Sequence, residues 1–113
     1  MNNNDIEILQ KILELIAQIE KFIKDVTLNE FLENDEKQNA VCMSLLNIGE
    51  LISKKLSLEF KNSKNGKAMP LKQAMGLRNV IAHEYFVLHF ETIWKTITTD
   101  IPVLKNKIER LLK

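Results

Sequence analysis

The chain has 113 residues, of which 45% are hydrophobic and 27% are charged, and its 16 basic and 15 acidic side chains nearly balance. These values predict one folded domain over residues 1–113 and exclude a disordered tail, a collagen-like fibre and a disulfide scaffold. No apolar run approaches the roughly 18 residues of a membrane span, and the first residues do not resemble a secretory signal, so we expect a cytoplasmic protein with no membrane partner.

Helices are favoured by the low content of turn-forming residues, which comprise three glycines and two prolines. Apolar residues recur at three- and four-residue spacing over residues 5–24, which predicts a first helix with one buried face. A short helical piece is expected at residues 28–32. A second long helix is predicted to start with Asn34 or Asp35 as its N-cap and to run to about Leu58.

Gly49 lies inside the second helix, where a glycine costs up to about 1 kcal/mol relative to alanine. It either allows another helix to approach closely or is a tolerated imperfection. A third helix is predicted over residues 71–85, with Pro70 suited to its first turn. A fourth helical region begins near Phe90 and restarts or kinks around residues 100–102. Short connections between such helices predict an all-α antiparallel bundle of four to five helices.

Charge is unevenly distributed along the chain. Residues 1–36 carry nine acidic side chains against three lysines, whereas residues 54–78 carry seven basic side chains against Glu59 alone. Within the basic region, residues 60–67 lack apolar periodicity and contain an Asn-Gly pair, so they are predicted to form a loop. This excess could attract a polyanion or an acidic partner surface, and a solvated lysine-rich loop explains it equally well.

Several kinds of chemistry find no support in the sequence. The single cysteine, Cys42, has apolar neighbours and is predicted to be a buried, unreactive thiol. His83 and His89 lack the spacing of a zinc site, and the three glycines stand too far apart for a phosphate-binding loop. We therefore expect no metal ion and no cofactor.

Four hydrogen-bonding side chains are concentrated in one predicted helix: Arg78, Asn79, His83 and Tyr85. One interpretation is structural, with His83 partly buried and bonded to Asn79, one helical turn away. The other is functional, because an arginine stabilises phosphate oxygens while a histidine transfers protons near neutral pH. RNA cleavage would suit this pair, since the ribose 2′-hydroxyl is an internal nucleophile and no metal is required in principle. A two-fold dimer would bring a second His83 to serve as the other proton-transfer group.

A larger set of residues resembles a known family, the HEPN-domain proteins of the HepT-like toxin group. Arg78, His83 and Tyr85 match the family motif of arginine, four residues, histidine, one residue and tyrosine. Four further segments resemble segments of the family and occur in the same order along the chain: Ile48-Gly49-Glu50, Gly76-Leu77-Arg78-Asn79, Glu91 to Trp94 and Asp100-Ile101-Pro102. The resemblance extends over most of the chain, although many relatives have Pro-Trp where this sequence has Pro70-Leu71.

This resemblance implies a homodimer joined through the motif helices and acting as a metal-independent endoribonuclease toxin on an RNA substrate. It implies that Arg78 and His83 are catalytic and that Asn79 supports the site. It also implies a minimal nucleotidyltransferase antitoxin that adenylylates Tyr85 and can join the dimer in a larger hetero-oligomer. Two alternatives remain open. The first is a non-catalytic module that holds a nucleotidyltransferase or a nucleotide, with Arg78 binding an anion. The second is a structural helical adaptor.

Overall fold

The computed structural model describes all 113 residues and contains helices and turns but no β-strand. The α-helices are α1 (Asn3–Ile23), α2 (Leu28–Leu32), α3 (Asp35–Glu50), α4 (Leu58–Asn62), α5 (Lys64–Lys67), α6 (Leu71–His83), α7 (Phe90–Lys95) and α8 (Ile101–Leu111). Two π-helical turns, Leu51–Lys55 and Thr96–Asp100, extend α3 and join α7 to α8, and a 3-10 turn occupies Tyr85–Val87. The predicted all-α class is confirmed. No helix is both long and apolar enough to cross a membrane.

Helix α3 lies at the centre of the bundle, between α1 on one side and α6 on the other. Its antiparallel arrangement with α1 is shown by two hydrogen bonds. Lys37 Nζ donates to the carbonyl oxygen of Phe22 at 3.0 Å, and Asn4 Nδ2 donates to that of Lys55 at 3.3 Å. The buried faces of the long helices form one core cluster of 22 apolar residues, which explains why the three- and four-residue spacing predicted the helices well.

The first helix is fixed to the rest of the molecule by a buried carboxylate. Asp5 is only 1% exposed, and its two oxygens accept hydrogen bonds from the backbone N–H of Ser57 at 2.9 Å and from Ser57 Oγ at 2.7 Å. Ser57 Oγ in turn accepts from the N–H of Phe60 at 3.0 Å and so caps α4. Because a buried carboxylate without partners is costly, this pairing fixes how the chain starts relative to α4.

The second long helix ends earlier than the predicted limit at Leu58. Its last five residues form a π-helical turn, and Leu56 already has extended backbone angles. Two tertiary contacts explain the difference. Lys61 Nζ donates to the terminal carbonyl oxygens of Ile52 and Ser53 at 3.1 Å each, and Asp5 holds Ser57 as the cap of the next helix.

The prediction of a loop at residues 60–67 is wrong. The structure has two short helices there, α4 and α5, because Ser63 caps α5 by accepting a hydrogen bond from the N–H of Gly66 at 3.1 Å. Gly66 is buried, and a Cβ at that position would overlap the carbonyl oxygen of Phe60. The Asn-Gly pair thus marks a close backbone contact inside an ordered segment.

The third helix was predicted to reach Tyr85, and it ends at His83 instead. The backbone of Glu84 leaves helical geometry (φ −133°, ψ 33°), which turns Tyr85 back toward α3. The irregularity expected near residues 100–102 is present as the second π-helical turn, and Pro102 occupies the first turn of α8. Helical spacing alone could not show that a contact with α3 redirects Tyr85.

Candidate functional site

The candidate site is built where α6 crosses α3 in very close contact at Gly49. A Cβ on Gly49 would overlap the side chain of Arg78 at its Cβ and Cγ and would lie 3.2 Å from the carbonyl oxygen of Ala74. Of the two interpretations of this glycine, the structure supports close approach of another helix. Any larger residue would push the first atoms of the Arg78 side chain away from α3.

Arg78 is held in place by two acceptors. Its Nε donates to Oε1 of Glu50, and its Nη1 donates to Oδ1 of Asn79 at 3.0 Å. Glu50 also pairs with Lys54 at 2.9 Å. The hydrogen bond from Lys54, together with that from Arg78, keeps the pKa of Glu50 below its usual value. The carboxylate is therefore ionised at neutral pH and fixes the arginine, while Nη2 has no partner within the chain.

His83 is the last residue of α6, and its imidazole is exposed and makes no hydrogen bond within the chain. The structural interpretation of a partly buried histidine bonded to Asn79 is therefore wrong, since the amide oxygen of Asn79 accepts from Arg78. Five residues along an α-helix correspond to about 140° of rotation, so the side chains of Arg78 and His83 leave the helix in different directions. The chain by itself brings Arg78 and Asn79 together and leaves His83 apart.

Tyr85 lies beyond the helix, in the 3-10 turn, and its hydroxyl donates a hydrogen bond to Oδ1 of Asn39 on α3. Burial, followed by the nearby Cys42 and Asp35, raises the pKa of Tyr85, which keeps the phenol protonated. Cys42 itself is 2% exposed, and burial raises the pKa of its thiol to about 11. The prediction of a buried, unreactive cysteine is confirmed.

Two residues of the site were not singled out from the sequence. Glu50 had a signal, because it belongs to the Ile-Gly-Glu segment that resembles the family pattern, but its pairing with Arg78 spans 28 residues. Asn39 had no signal, since its contact with Tyr85 spans 46 residues and no local pattern marks it. No group of three or more histidine, cysteine, aspartate or glutamate side chains converges as a metal site would require.

Comparison with known proteins identifies the family of the chain. Residues 12–111 match the family described as Ribonuclease HepT-like, and that range includes Glu50, Arg78, Asn79, His83 and Tyr85. The chain belongs to the HepT-like ribonuclease family. It is thus a HepT-like HEPN protein, and the all-α bundle is the fold that this assignment implies.

Relatives of this HepT-like protein match over nearly their whole length. A Thermococcus cleftensis protein named "Probable ribonuclease HepT" is 34% identical over 113 residues, covering 100% of both chains. A Methanocaldococcus jannaschii protein provisionally named as an RNase is 33% identical over 110 residues, or 96% of this chain and 98% of the relative. A third, from Caldanaerobacter subterraneus subsp. tengcongensis and also provisionally named as an RNase, is 31% identical over 105 residues, or 93% of this chain and 91% of the relative. No solved structure matches the chain.

The two helical glycines provide a matched test of the crossing between α3 and α6. We expect Gly49→Ala to lower the free energy of unfolding by about 1 to 3 kcal/mol, because the new methyl group overlaps Arg78. Gly76→Ala should raise it by about 0.5 to 1 kcal/mol, since no atom beyond its chain neighbours and its own helix backbone lies within 4 Å of the Cβ position and alanine favours the helix. Urea unfolding followed by circular dichroism measures both, and a similar gain in the two variants would contradict the close crossing.

Proposed function

We propose that this HepT-like protein is an endoribonuclease toxin that cleaves RNA without a metal ion. The observation that carries the proposal is the fixed guanidinium of Arg78, with Nη2 unused, on the same helix as the exposed His83. A planar, permanently charged group held by Glu50 and Asn79 suits the oxygens of a phosphodiester. A solvent-accessible imidazole suits proton transfer near neutral pH.

The reaction follows from the chemistry of RNA. The ribose 2′-oxygen attacks the adjacent phosphorus, its proton passes to an imidazole, and the bond from phosphorus to the 5′-oxygen breaks. The leaving 5′-oxygen takes a proton from a second imidazole, so the products are a 2′,3′-cyclic phosphate and a 5′-hydroxyl. Arg78 stabilises the negative charge that develops on the phosphoryl oxygens in the transition state. Asn79 supports the site by holding Arg78.

A homodimer would supply the second imidazole. The residues that flank His83 in the chain include exposed apolar side chains, with Val80 39%, Phe86 100% and Val87 65% exposed. A fully exposed phenylalanine beside two exposed valines supports a contact with another protein surface. A two-fold axis through this patch would set one motif helix near its copy, so that each phosphate meets His83 and Arg78 from both chains.

The partner in this proposal is a minimal nucleotidyltransferase antitoxin that adenylylates Tyr85. In that step the Tyr85 oxygen attacks the α-phosphorus of ATP and pyrophosphate leaves. The added AMP would remove the phenolic proton that Tyr85 donates to Asn39 and would place a negative group on a residue two positions from His83 in the chain. Like charge and bulk would then oppose binding of an RNA phosphate. Association of the dimer with the antitoxin in a larger complex is part of the same proposal.

Cleavage of a mixed cellular RNA pool by the chain purified alone, in excess EDTA, tests the activity. We expect His83→Ala to lower the rate by about 10²- to 10⁴-fold, because the imidazole transfers protons. The exposed His89 is the matched control, and His89→Ala should cleave as the unmutated protein does. Ends carrying a 2′,3′-cyclic phosphate would identify the reaction. His83→Gln keeps a hydrogen-bond donor but cannot relay a proton, so full activity in that variant would overturn the catalytic role and favour the binding module.

Sedimentation equilibrium tests the dimer. The unmutated chain should have twice its monomer mass of 13.1 kDa. Phe86→Asp should convert it to a monomer that keeps its helical content, because the side chain is fully exposed and its aromatic contact within the chain is with the neighbouring ring of Tyr85. Val103→Asp, on the 45% exposed Val103 of α8, is the control and should stay dimeric. A monomeric unmutated protein would contradict the proposed arrangement.

Intact mass spectrometry tests the modification of Tyr85. After incubation with ATP and a minimal nucleotidyltransferase encoded beside the gene, the chain should gain the mass of one AMP group. Tyr85→Phe keeps the aromatic ring and lacks the attacking oxygen, so it should gain nothing. Loss of RNA cleavage in step with the mass increase is expected. An unchanged mass, or an adduct that persists in Tyr85→Phe, would rule out this residue as the target.

A further inference from the structure

A basic groove lies at the start of the motif helix. It encloses about 610 Å³ between α4, α5 and the first turn of α6. Three lysines and two amide side chains are among its lining residues, and none of these residues is acidic: Lys61, Asn62, Lys67, Lys72 and Gln73, with Met75 beside them. We call this feature the lysine groove. The sequence shows the excess of lysine but predicts a loop at this position. The groove forms because the segment folds into the ordered helices α4 and α5.

The lysines of the groove divide into one structural and two free cations. Lys61 Nζ is used within the chain, where it donates to the carbonyl oxygens of Ile52 and Ser53. Lys67 and Lys72 are exposed and form neither an ion pair nor a side-chain hydrogen bond. Glu59 is the nearest acid along the sequence and lies outside the lining of the groove. Two uncompensated positive charges therefore face solvent at this position.

The groove shares Lys72 with the face of α6 that carries Asn79 and His83. Lys72, Gly76, Asn79 and His83 follow one another at spacings of four, three and four residues, which places them within about 60° of rotation on an ideal helix. All four are exposed, and no atom beyond its chain neighbours and its own helix backbone lies within 4 Å of the Cβ position of Gly76. The helix backbone is therefore uncovered at Gly76, within an exposed face that runs roughly 16 Å from Lys72 to His83.

The two ends of this face differ in the charge they offer to a polyanion. Beyond His83 the chain presents Glu84 and the exposed apolar Phe86 and Val87. In the other direction it presents Gly76, Lys72 and Lys67, with no acidic side chain. A strand that places a phosphate at His83 is therefore favoured to continue toward the lysine groove, where two cations can neutralise further phosphates.

We propose that the lysine groove is a phosphate-backbone subsite that holds the RNA strand next to the scissile bond, through Lys67 and Lys72. This inference rests on the proposed ribonuclease function and adds to it a defined path for the substrate. Lys67 and Lys72 make phosphate contacts independent of base identity, and the bare backbone at Gly76 lets the strand pass close to the helix. RNA is favoured over an acidic protein surface because Lys72, which lines the groove, lies on the same face of α6 as His83.

Binding is measured apart from cleavage, in a His83→Ala background that leaves the groove unchanged. The probe is a fluorescently labelled single-stranded RNA of mixed sequence, and affinity is read by anisotropy over a range of monovalent salt. We expect Lys67→Gln with Lys72→Gln to weaken binding about 25-fold at 0.1 M salt. The slope of log affinity against log salt should become shallower by about 1.4, because each lost contact to a single strand removes about 0.7. Both side chains are exposed, so the variant should keep its helical content.

The matched control is Lys11→Gln with Lys24→Gln, which removes the same charge from exposed positions on α1 and just beyond it. This pair should leave affinity and slope unchanged. An equal loss of RNA affinity in both double variants would show that overall charge causes the effect. Unchanged affinity in both would show that the groove does not bind the RNA strand. Either result overturns the proposal, as does a groove variant that binds RNA normally but loses affinity for the nucleotidyltransferase.

Cleavage by the chain with His83 intact separates failure of this inference from failure of the proposed function. If the intact chain cleaves RNA, the groove variant should show a raised KM with nearly unchanged kcat, since Lys67 and Lys72 bind the strand away from the reacting atoms. If the intact chain cleaves nothing, the proposed function fails, and the anisotropy result alone still decides whether the lysine groove binds RNA.

Discussion

The crossing of α3 and α6 at Gly49 is the contact on which the site depends. The absence of a side chain at that position allows the backbone of α6 to lie against α3, and the next residue, Glu50, then reaches Arg78. Lys54, one turn further along, pairs with the same carboxylate. One glycine and one acidic residue thus determine both how close the helices lie and where the guanidinium is held.

The site combines one fixed and one free group, and this division suits its proposed chemistry. Arg78 is partly buried and held by two acceptors, so it can stabilise charge without first having to be ordered. His83 sits at the end of the helix with its imidazole in solvent, which suits a group that must exchange protons. Because the two side chains leave α6 in different directions, a second copy of the chain would complete a site that one copy contains only in part.

The short helices α4 and α5 fix the positions of the lysines that are concentrated in this part of the chain. The basic segment between α3 and α6 is ordered by Ser57 and Ser63, which cap α4 and α5, and by Asp5, which holds Ser57. These contacts make the lysine-rich stretch one wall of a groove, and Lys72 of that groove lies on the face of α6 that carries His83. The same lysines on a disordered loop would attract a polyanion without holding it in one position, whereas lysines on an ordered wall can bind its phosphates at fixed positions.

The helical class, the long helices, the buried Cys42 and the family could be predicted from the sequence, because apolar spacing and a multi-residue motif are local patterns along the chain. The sequence misplaced the ends of the second and third helices and the segment 60–67, where contacts with distant residues compete with local helical preference. It could not pair Arg78 with Glu50 or Tyr85 with Asn39, nor decide the role of Gly49, since these contacts join positions 28 to 46 residues apart. Only packing of α6 against α3 brought those positions together, and the local pattern at either end carries no information about its partner.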